Sequence, residues 1–309
     1  MTLRIGTRGS ALARVQAADV ARRLEAYGHE TETVIISTAG DRTTDRAFAD
    51  VGAFGIFVRE IESALLEERI DVAVHSFKDL PSVSPKELVV AAVPERVDAA
   101  DLLLARCDAV DSSAGLIQLR PKAHIGTSAA RRQALLRTLR PDLEIGLLRG
   151  NVPTRIEALA SGRFDAIILA AAGVGRLERA NHSSVPVVPS TVVVHRLDPA
   201  VFVPAPAQGA IAVQVRRADR QTTQAVQQID DPVAARTLQA ERAALGLAEG
   251  GCTLPFGAWC EAFTDGTLTL HVVLGLEDGT LVRAKRHGSD PALLARETWH
   301  ELSSAITVS

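Results

Sequence analysis

Short runs of apolar and β-branched residues alternate with helical patterns over most of the chain. The apolar runs predict strands at 3–7, 33–38, 71–76, 88–94, 102–106, 123–128, 143–148, 165–170 and 210–216. Apolar positions at helical spacing predict helices at 10–27, 57–68 and 129–139, and one more between 148 and 165. This alternation favours parallel or mixed sheets that are covered on both faces, in which ligands bind beyond the carboxyl ends of strands.

The pattern changes after about residue 218. Two helices are predicted at 219–229 and 233–247, followed by three strands, GAWCEAF, TLTLHVVLG and TLVRAKRHG, and a closing helix at 291–305. The strands are separated by TDG and EDG, and Asp-Gly between alternating runs predicts hairpins. The chain therefore ends in a small antiparallel α+β domain.

Two segments lack a clear period. Residues 39–53 are polar with glycine near both ends and predict a long loop, which is uncommon unless it serves function. Residues 181–207 are rich in Pro, Ser and Val and are interpreted as a crossing linker.

The 309 residues, 47% hydrophobic and 23% charged, are typical of a globular protein of two or three domains. We expect a cytoplasmic protein, because the sequence has no apolar run long enough to span a membrane and no signal at its start. Three cysteines without a CxxC pair predict neither disulfides nor a metal site. The net charge of −3 gives no general attraction to nucleic acid.

Arginine strongly outnumbers lysine, 30 to 4. Genomic base composition explains most of this excess, but the positions of some arginines suggest a second cause. Six of them lie near helix starts that follow strands: Arg8, Arg131, Arg132, Arg149, Arg155 and Arg176. Helix starts attract anions, and a guanidinium grips a carboxylate with two hydrogen bonds. Each one alone is most simply a surface arginine, whereas the set indicates a bound polycarboxylate.

Two further motifs are candidates for chemistry. In HSFKDLP (75–81), Asp79 follows a buried strand and could steady a developing positive charge, although adjacent Lys78 and Asp79 could equally be a solvated turn. In EGGCTLPFG (249–257), Cys252 lies in a Gly-rich loop and is a candidate nucleophile or attachment point. Cys107 and Cys260 lie in apolar runs and are expected to be buried. No dinucleotide, P-loop or G-x-S-x-G motif occurs.

These stretches resemble porphobilinogen deaminases (hydroxymethylbilane synthases) in order and over nearly the whole chain. The most specific matches are VHSFKDLP, GTSAARR, LRGNVPTR and EGGCTLPFG. The resemblance implies an α/β fold with two lobes like those of periplasmic binding proteins, built on mixed sheets around a cleft. A small α+β C-terminal domain with a three-stranded antiparallel sheet would carry the cofactor. The implied boundaries are 1–95 with 196–217, 96–195, and 218–309.

The resemblance also implies roles for residues. Asp79 would be the catalytic carboxylate, and Cys252 would hold a dipyrromethane cofactor through a thioether. Other cofactor-binding residues would be Lys78, Ser76, Arg131, Arg132, Thr127 and Ser128. Substrate-binding residues would be Arg8, Ser10, Arg149, Arg155, Arg176 and Gln208. The substrate would be porphobilinogen, acted on by a monomer without nucleic-acid, membrane or metal partners.

The implied reaction joins four porphobilinogen molecules head to tail. Each loses ammonia to give an electrophilic azafulvene, which a carboxylate stabilises and the terminal pyrrole attacks. Water finally releases hydroxymethylbilane, a precursor of haem and other tetrapyrroles. The sequence departs from the family pattern at Phe54, where the family has lysine, and at Ala129 and Pro153. Arg59 keeps the charge of a following lysine. We expect Phe54 to alter substrate affinity rather than abolish activity.

Two other functions stay open. A two-lobed solute-binding protein would have the same arginine-lined cleft but is usually exported and gives no role to EGGCTLPFG. A degenerate paralogue that binds tetrapyrrole precursors without turnover is suggested only by Phe54 and Ala129, and the retained Asp79 argues against it.

Overall fold

The computed structural model describes residues 2–36, 53–181, 183, 185–248 and 254–308. The chain forms two compact units, one from residues 1–97 and 209–236 and the other from residues 98–208 and 237–309. The strands are β1 Leu3–Thr7, β2 Thr31–Ile35, β3 Val72–Ser76, β4 Leu88–Ala92, β5 Asp101–Arg106, β6 His124–Gly126, β7 Glu144–Gly146, β8 Ala166–Ala170, β9 Val192–Arg196, β10 Ile211–Arg216, β11 Phe256–Ala262, β12 Leu268–Gly275 and β13 Leu281–Gly288. The helices are α1 Ala11–Ala26, α2 Ala53–Leu66, α3 Ala130–Leu139, α4 Val152–Ala160, α5 Ala171–Arg179, α6 Arg220–Gln227, α7 Pro232–Leu247 and α8 Pro291–Val308.

The first unit is built on a mixed sheet in the order β2–β1–β3–β10–β4. β1 runs parallel to both β2 and β3, whereas β10 lies antiparallel between β3 and β4. Because side chains alternate across a strand, each face of the sheet has its own apolar layer. Val72 and Val74 pack in one cluster with Val20 and Leu24 of α1. Ala73 packs in a second cluster with helix α2.

The second unit contains two sheets. The mixed sheet has the order β7–β6–β8–β5–β9, with β6 parallel to β7 and β8, and β5 antiparallel to β8 and β9. The antiparallel sheet β11–β12–β13 packs against α8 through Leu294 and Leu302. Val273 of β12 also joins the core that contains Leu135 and Leu136 of α3.

The predicted fold class is therefore confirmed for the two mixed sheets and the three-stranded antiparallel sheet. Helix α2 begins at Ala53, four residues before its predicted start. The predicted loop at 39–53 lies outside the described residues except for its last residue.

The structure places two segments differently from the predicted boundaries. Residues 192–196, predicted as linker, form edge strand β9 of the second unit, so the return to the first sheet is made by β10 alone. Helix α6, assigned to the C-terminal domain, belongs to the first unit. The reason is its apolar face, since Ala225 and Val226 pack against the first sheet with Ile211 and Val213.

Candidate active site

The carboxyl ends of parallel strands collect the candidate residues in each unit. In the first unit, the ends of β1 and β3 lie side by side, so that Arg8 follows one strand and Lys78 and Asp79 follow the other. In the second unit, the ends of β6, β7 and β8 lead to Thr127, Ser128 and Arg149 and to helix α5. Neighbouring parallel strands end at the same edge of their sheet, which is where such sheets bind ligands.

Asp79 lies in a 3-10 turn, Phe77–Asp79, that follows β3 directly. Phe77 and Leu80 are buried and anchor the turn on both sides, while Lys78 and Asp79 are half-buried. The backbone N–H of Phe77 donates to the carbonyl of Ala210 at 3.1 Å. The turn is therefore fixed to the core, with the carboxylate at its end.

The last two residues of β3 are held by side chains from both faces of the first sheet. The hydroxyl of Ser76 lies 2.9 Å from Nε2 and 3.0 Å from Oε1 of Gln16 in α1. The ring of His75 contacts Gln214 of β10, with 3.1 Å between Nε2 and Oε1. Ser76 was implied as a cofactor-binding residue, and the structure gives its hydroxyl a partner within the protein.

Ser10 is the N-cap of helix α1. Its hydroxyl accepts a hydrogen bond from the backbone N–H of Ala13 at 3.3 Å, which satisfies one of the free donors at the helix start. Ser10 thus has a structural role as a helix cap, in addition to the role in substrate binding that the resemblance implies. Arg8, two residues earlier, is half-buried.

Arg131 and Arg132 share one buried carboxylate, Asp101. Nη2 of Arg131 lies 2.8 Å from Oδ2 of Asp101, and Nη2 of Arg132 lies 2.7 Å from Oδ1. Each guanidinium also donates to a carbonyl, that of Val203 at 2.7 Å and that of Ile168 at 2.9 Å. Both arginines were expected to bind cofactor carboxylates, but much of their hydrogen-bonding capacity is used within the protein.

Electrostatics keeps Asp101 ionised although it is fully buried. Burial alone would raise the pKa of this carboxyl, but Arg131, Arg132 and a hydrogen bond from Gln208 hold the pKa well below its usual range. The buried group of two guanidiniums and one carboxylate therefore carries a net positive charge. Nε of Arg132 is buried and has no hydrogen-bond partner among the described residues. The group fits an additional anion, as a dipyrromethane with carboxylate side chains would provide.

Gln208 and Arg176, both implied in substrate binding, are almost fully buried. The Nε2 of Gln208 donates to the carbonyl of Ala99 at 2.8 Å and to Oδ1 of Asp101 at 2.9 Å. Gln208 thus donates a hydrogen bond to Asp101 in addition to those from Arg131 and Arg132. Arg176 lies in the last turn of α5, so the prediction that it lies near a helix start was wrong; the helix begins at Ala171, directly after β8.

The GTS and LRGN loops are brought together by a short hydrogen bond. The hydroxyl of Ser128 donates to the carbonyl of Leu148 at 2.6 Å, next to the exposed side chain of Arg149. Thr127 is buried and accepts from the backbone N–H of Ala129 at 3.3 Å. Arg155 donates from Nε to the carbonyl of Gly150 at 2.7 Å. Thr127, Ser128 and Arg149 therefore lie in two loops at the same edge of the mixed sheet of the second unit.

The position of Pro153 at the start of helix α4 explains why it is tolerated in the LRGNVPTR motif. Asn151 caps helix α4, accepting from the backbone N–H of Thr154 at 3.0 Å. Pro153 falls in the first turn of that helix, where the missing N–H has no helical partner to lose.

The three cysteines differ in what the structure shows. Cys252 lies outside the described residues, as do the side chain of Phe54 and the motif around residues 249–253. Cys260 is buried, as expected, whereas Cys107 is exposed, so that the expectation for Cys107 was wrong. The apolar run before Cys107 ends with β5 at Arg106, and the cysteine opens a short turn where its thiol contacts the carbonyl of Thr191.

Sequence reasoning missed four buried or partly buried polar residues that make side-chain hydrogen bonds near the candidate residues, namely Asp101, Gln16, Gln214 and Glu62. Each contacts a partner 30 or more positions away along the chain, and no local pattern signals such a contact. No cluster of three metal-ligating side chains occurs among the residues described. Within the same residues, none of the helices has the length and apolar character needed to cross a membrane.

Comparison with known proteins identifies the family. A family model described as "porphobilinogen deaminase, dipyromethane cofactor binding domain" matches residues 3–224. The chain belongs to the porphobilinogen deaminase family. It is 42% identical to the porphobilinogen deaminase of Syntrophobacter fumaroxidans over 93% of this chain and 89% of the relative. For the porphobilinogen deaminase of Deinococcus radiodurans the identity is 41%, over 93% and 90% of the two chains.

Among solved structures, the chain is similar to the periplasmic sulfonate-binding protein SsuA from Methylobacillus flagellatus. Its TM-score is 0.43 at 12% identity, covering 81% of this chain and 87% of that one.

Proposed function

We propose that this protein is a hydroxymethylbilane synthase that condenses four molecules of porphobilinogen, with loss of ammonia, and releases hydroxymethylbilane for tetrapyrrole synthesis. The observation that carries the proposal is membership of the porphobilinogen deaminase family, with relatives of that name aligned over nine tenths of the chain. Cytoplasmic location and a monomeric state stay predictions.

The chemistry of the described residues supports this reaction. Each porphobilinogen carries two carboxylates. Arg8 and Arg149 follow the ends of strands and Arg155 lies near the start of α4, positions from which guanidinium groups can bind carboxylates. Asp79 lies at the end of a rigid turn, where its carboxylate can stabilise the positive charge that develops when ammonia leaves. The same carboxylate can take the proton that leaves the attacking pyrrole carbon. A half-buried position strengthens both interactions relative to bulk water.

The cofactor-binding residues of the proposal are Cys252, Arg131, Arg132, Lys78, Ser76, Thr127 and Ser128. The unpartnered Nε of Arg132 and the net positive charge around Asp101 support a carboxylate ligand beside α3. When bound through Cys252, a dipyrromethane supplies the primer to which new pyrroles are added. Asp101 and Gln208 then act indirectly, by fixing the two guanidinium groups.

The decisive experiment is the intact mass of the purified protein and of its Cys252→Ser variant, made in a host that synthesises porphobilinogen. We expect the wild type to exceed its sequence mass by one dipyrromethane, and the variant to match its own sequence mass. Asp79→Asn provides a matched variant for catalysis, because it keeps Cys252 while its turnover should fall by about 100-fold or more. An unmodified wild type without turnover would favour a binding protein or a degenerate paralogue instead.

A further inference from the structure

A chain of three buried polar side chains crosses the layer between helix α2 and the first sheet. Glu62 of α2, Gln214 of β10 and His75 of β3 are exposed by only 7%, 0% and 6%. Nε2 of Gln214 donates to Oε1 of Glu62 at 2.9 Å, and Nε2 of His75 lies 3.1 Å from Oε1 of Gln214. The three residues come from distant parts of the sequence, and the reaction proposed above gives none of them a role.

The hydrogen bonds of this chain have a defined direction. A carboxylate only accepts, so Gln214 must turn its NH2 group toward Glu62 and its oxygen toward His75. The amide oxygen also only accepts, so His75 must carry its proton on Nε2. Glu62 therefore fixes the orientation of Gln214, and Gln214 fixes the tautomer and orientation of the imidazole.

His75 is unsuited to proton transfer itself. Burial lowers the pKa of the imidazole to about 4, although the hydrogen bond to Gln214 opposes this shift. The ring is thus neutral at physiological pH and has its Nε2 proton engaged. Burying three polar groups is costly, and an apolar layer of the same shape is often as stable. Their presence in this layer indicates a requirement for a fixed geometry.

The position of His75 shows what that geometry fixes. His75 directly precedes Ser76, and the turn with Asp79 begins at the next residue. Gln16 holds Ser76 by hydrogen bonds between their side chains. We propose that Glu62, Gln214 and His75 are positioning residues that hold the end of β3 and thereby place the Asp79 carboxylate. This role rests on the proposed function, because it acts through Asp79.

Steady-state kinetics with porphobilinogen can test the proposal on the holoenzyme. His75→Leu removes the hydrogen bond at similar volume, and Gln214→Met interrupts the same chain from β10. We expect either change to lower kcat about 10- to 100-fold with KM within about twofold, because a shift of about 1 Å in a reacting group costs this much. His75→Gln, whose amide nitrogen can replace Nε2–H, should retain kcat within about threefold.

Val74→Ala is the matched control. Val74 precedes His75 in β3, is 4% exposed and packs in the cluster with α1. Its truncation therefore weakens the core but leaves the hydrogen bonds between His75, Gln214 and Glu62 intact. Wild-type kcat in His75→Leu and Gln214→Met would overturn the proposal, and so would an equal loss of kcat in Val74→Ala. A wild type that does not turn over porphobilinogen would instead overturn the proposed function, and with it the role given to these residues.

Discussion

Two buried aspartates, one in each unit, are each shared by two arginines. Asp71 accepts from Arg4 at 2.8 Å and from Arg216 at 3.2 Å, and Asp101 accepts from Arg131 and Arg132. Isolated buried carboxylates would be very unfavourable, so each depends on its arginines for its charge. The surplus of arginine in the sequence thus has a structural use as well as the proposed use in binding anions.

The pH dependence of stability tests the ion pairs that Asp71 forms with Arg4 and Arg216. Burial would raise the pKa of Asp71, but hydrogen bonds from Arg4 and Arg216 outweigh it and lower the pKa from 3.8 to about 2. Because the pKa of Asp71 is lower in the folded state than in the unfolded state, its ionised form stabilises the fold at a pH above the unfolded pKa. This contribution is lost as the pH falls from about 4 to about 2. The shift corresponds to about 2 kcal/mol. We expect chemical denaturation to show that Asp71→Asn costs more at pH 5 than near pH 2.

Glu277→Gln is the control for this experiment, because Glu277 is an exposed carboxylate in the loop between β12 and β13. Its effect should be small at both pH values. If the difference between wild type and Asp71→Asn were the same at pH 5 and pH 2, the ion pairs would not set the pKa of Asp71.

Ser10, at the start of helix α1, is an N-cap and is also implied to bind substrate. We expect Ser10→Ala to lower the free energy of unfolding by about 1 kcal/mol, because the N–H of Ala13 loses its acceptor. Ser10→Asn should restore most of this stability, since asparagine caps equally well. Denaturant melts measure both values.

The KM for porphobilinogen then separates the two roles of Ser10. If the hydroxyl also binds substrate, Ser10→Asn will be stable but will show a raised KM. An unchanged KM in Ser10→Asn would limit Ser10 to its role as a helix cap.

The elements that the sequence predicted best are those whose pattern is local. The segments predicted as strands at 3–7 and 102–106 became β1 and β5 within a residue, because most of their residues are apolar and are buried in the sheets. Strand β2 begins at Thr31, two residues before the predicted start, since pairing of Leu3 with Thr31 sets its register, and the last two residues of the predicted strand, 37–38, lie outside the described residues. β9 was missed because a short edge strand pairs on one side only and its segment is rich in proline. Contact partners such as Asp101 and Gln214 depend on the tertiary structure.

The order of the units along the chain explains why domain boundaries were harder to predict than elements. The chain leaves the first unit after residue 97, returns at 209 and leaves again after 236. The pattern of α6 shows that it has an apolar face but not which sheet that face covers. Each unit nevertheless contains its own buried clusters, such as the one around Val72 and Val213 and the one around Leu135 and Phe202. We therefore expect the two units to respond separately to a local defect.

Asp101→Ala tests this expectation. The substitution leaves two nine-tenths buried guanidiniums, Arg131 and Arg132, without their shared carboxylate, and breaking a buried pair costs about 3–5 kcal/mol. We expect hydrogen exchange, followed by mass spectrometry, to show lost protection in peptides from 98–181, 185–208, 237–248 and 254–308. Peptides from 2–36, 53–97 and 209–236 should keep their protection, because no atom of their core is changed.

Arg196→Ala is the matched control in the same unit, since it breaks an exposed pair with Asp98, worth about 1 kcal/mol or less. Its exchange pattern should resemble that of the wild type. Equal loss of protection in both sets of peptides in Asp101→Ala would show that the chain opens as one cooperative body. A loss confined to the second unit would instead mean that the anchoring of Arg131 and Arg132 can weaken while the turn that carries Asp79 keeps its structure.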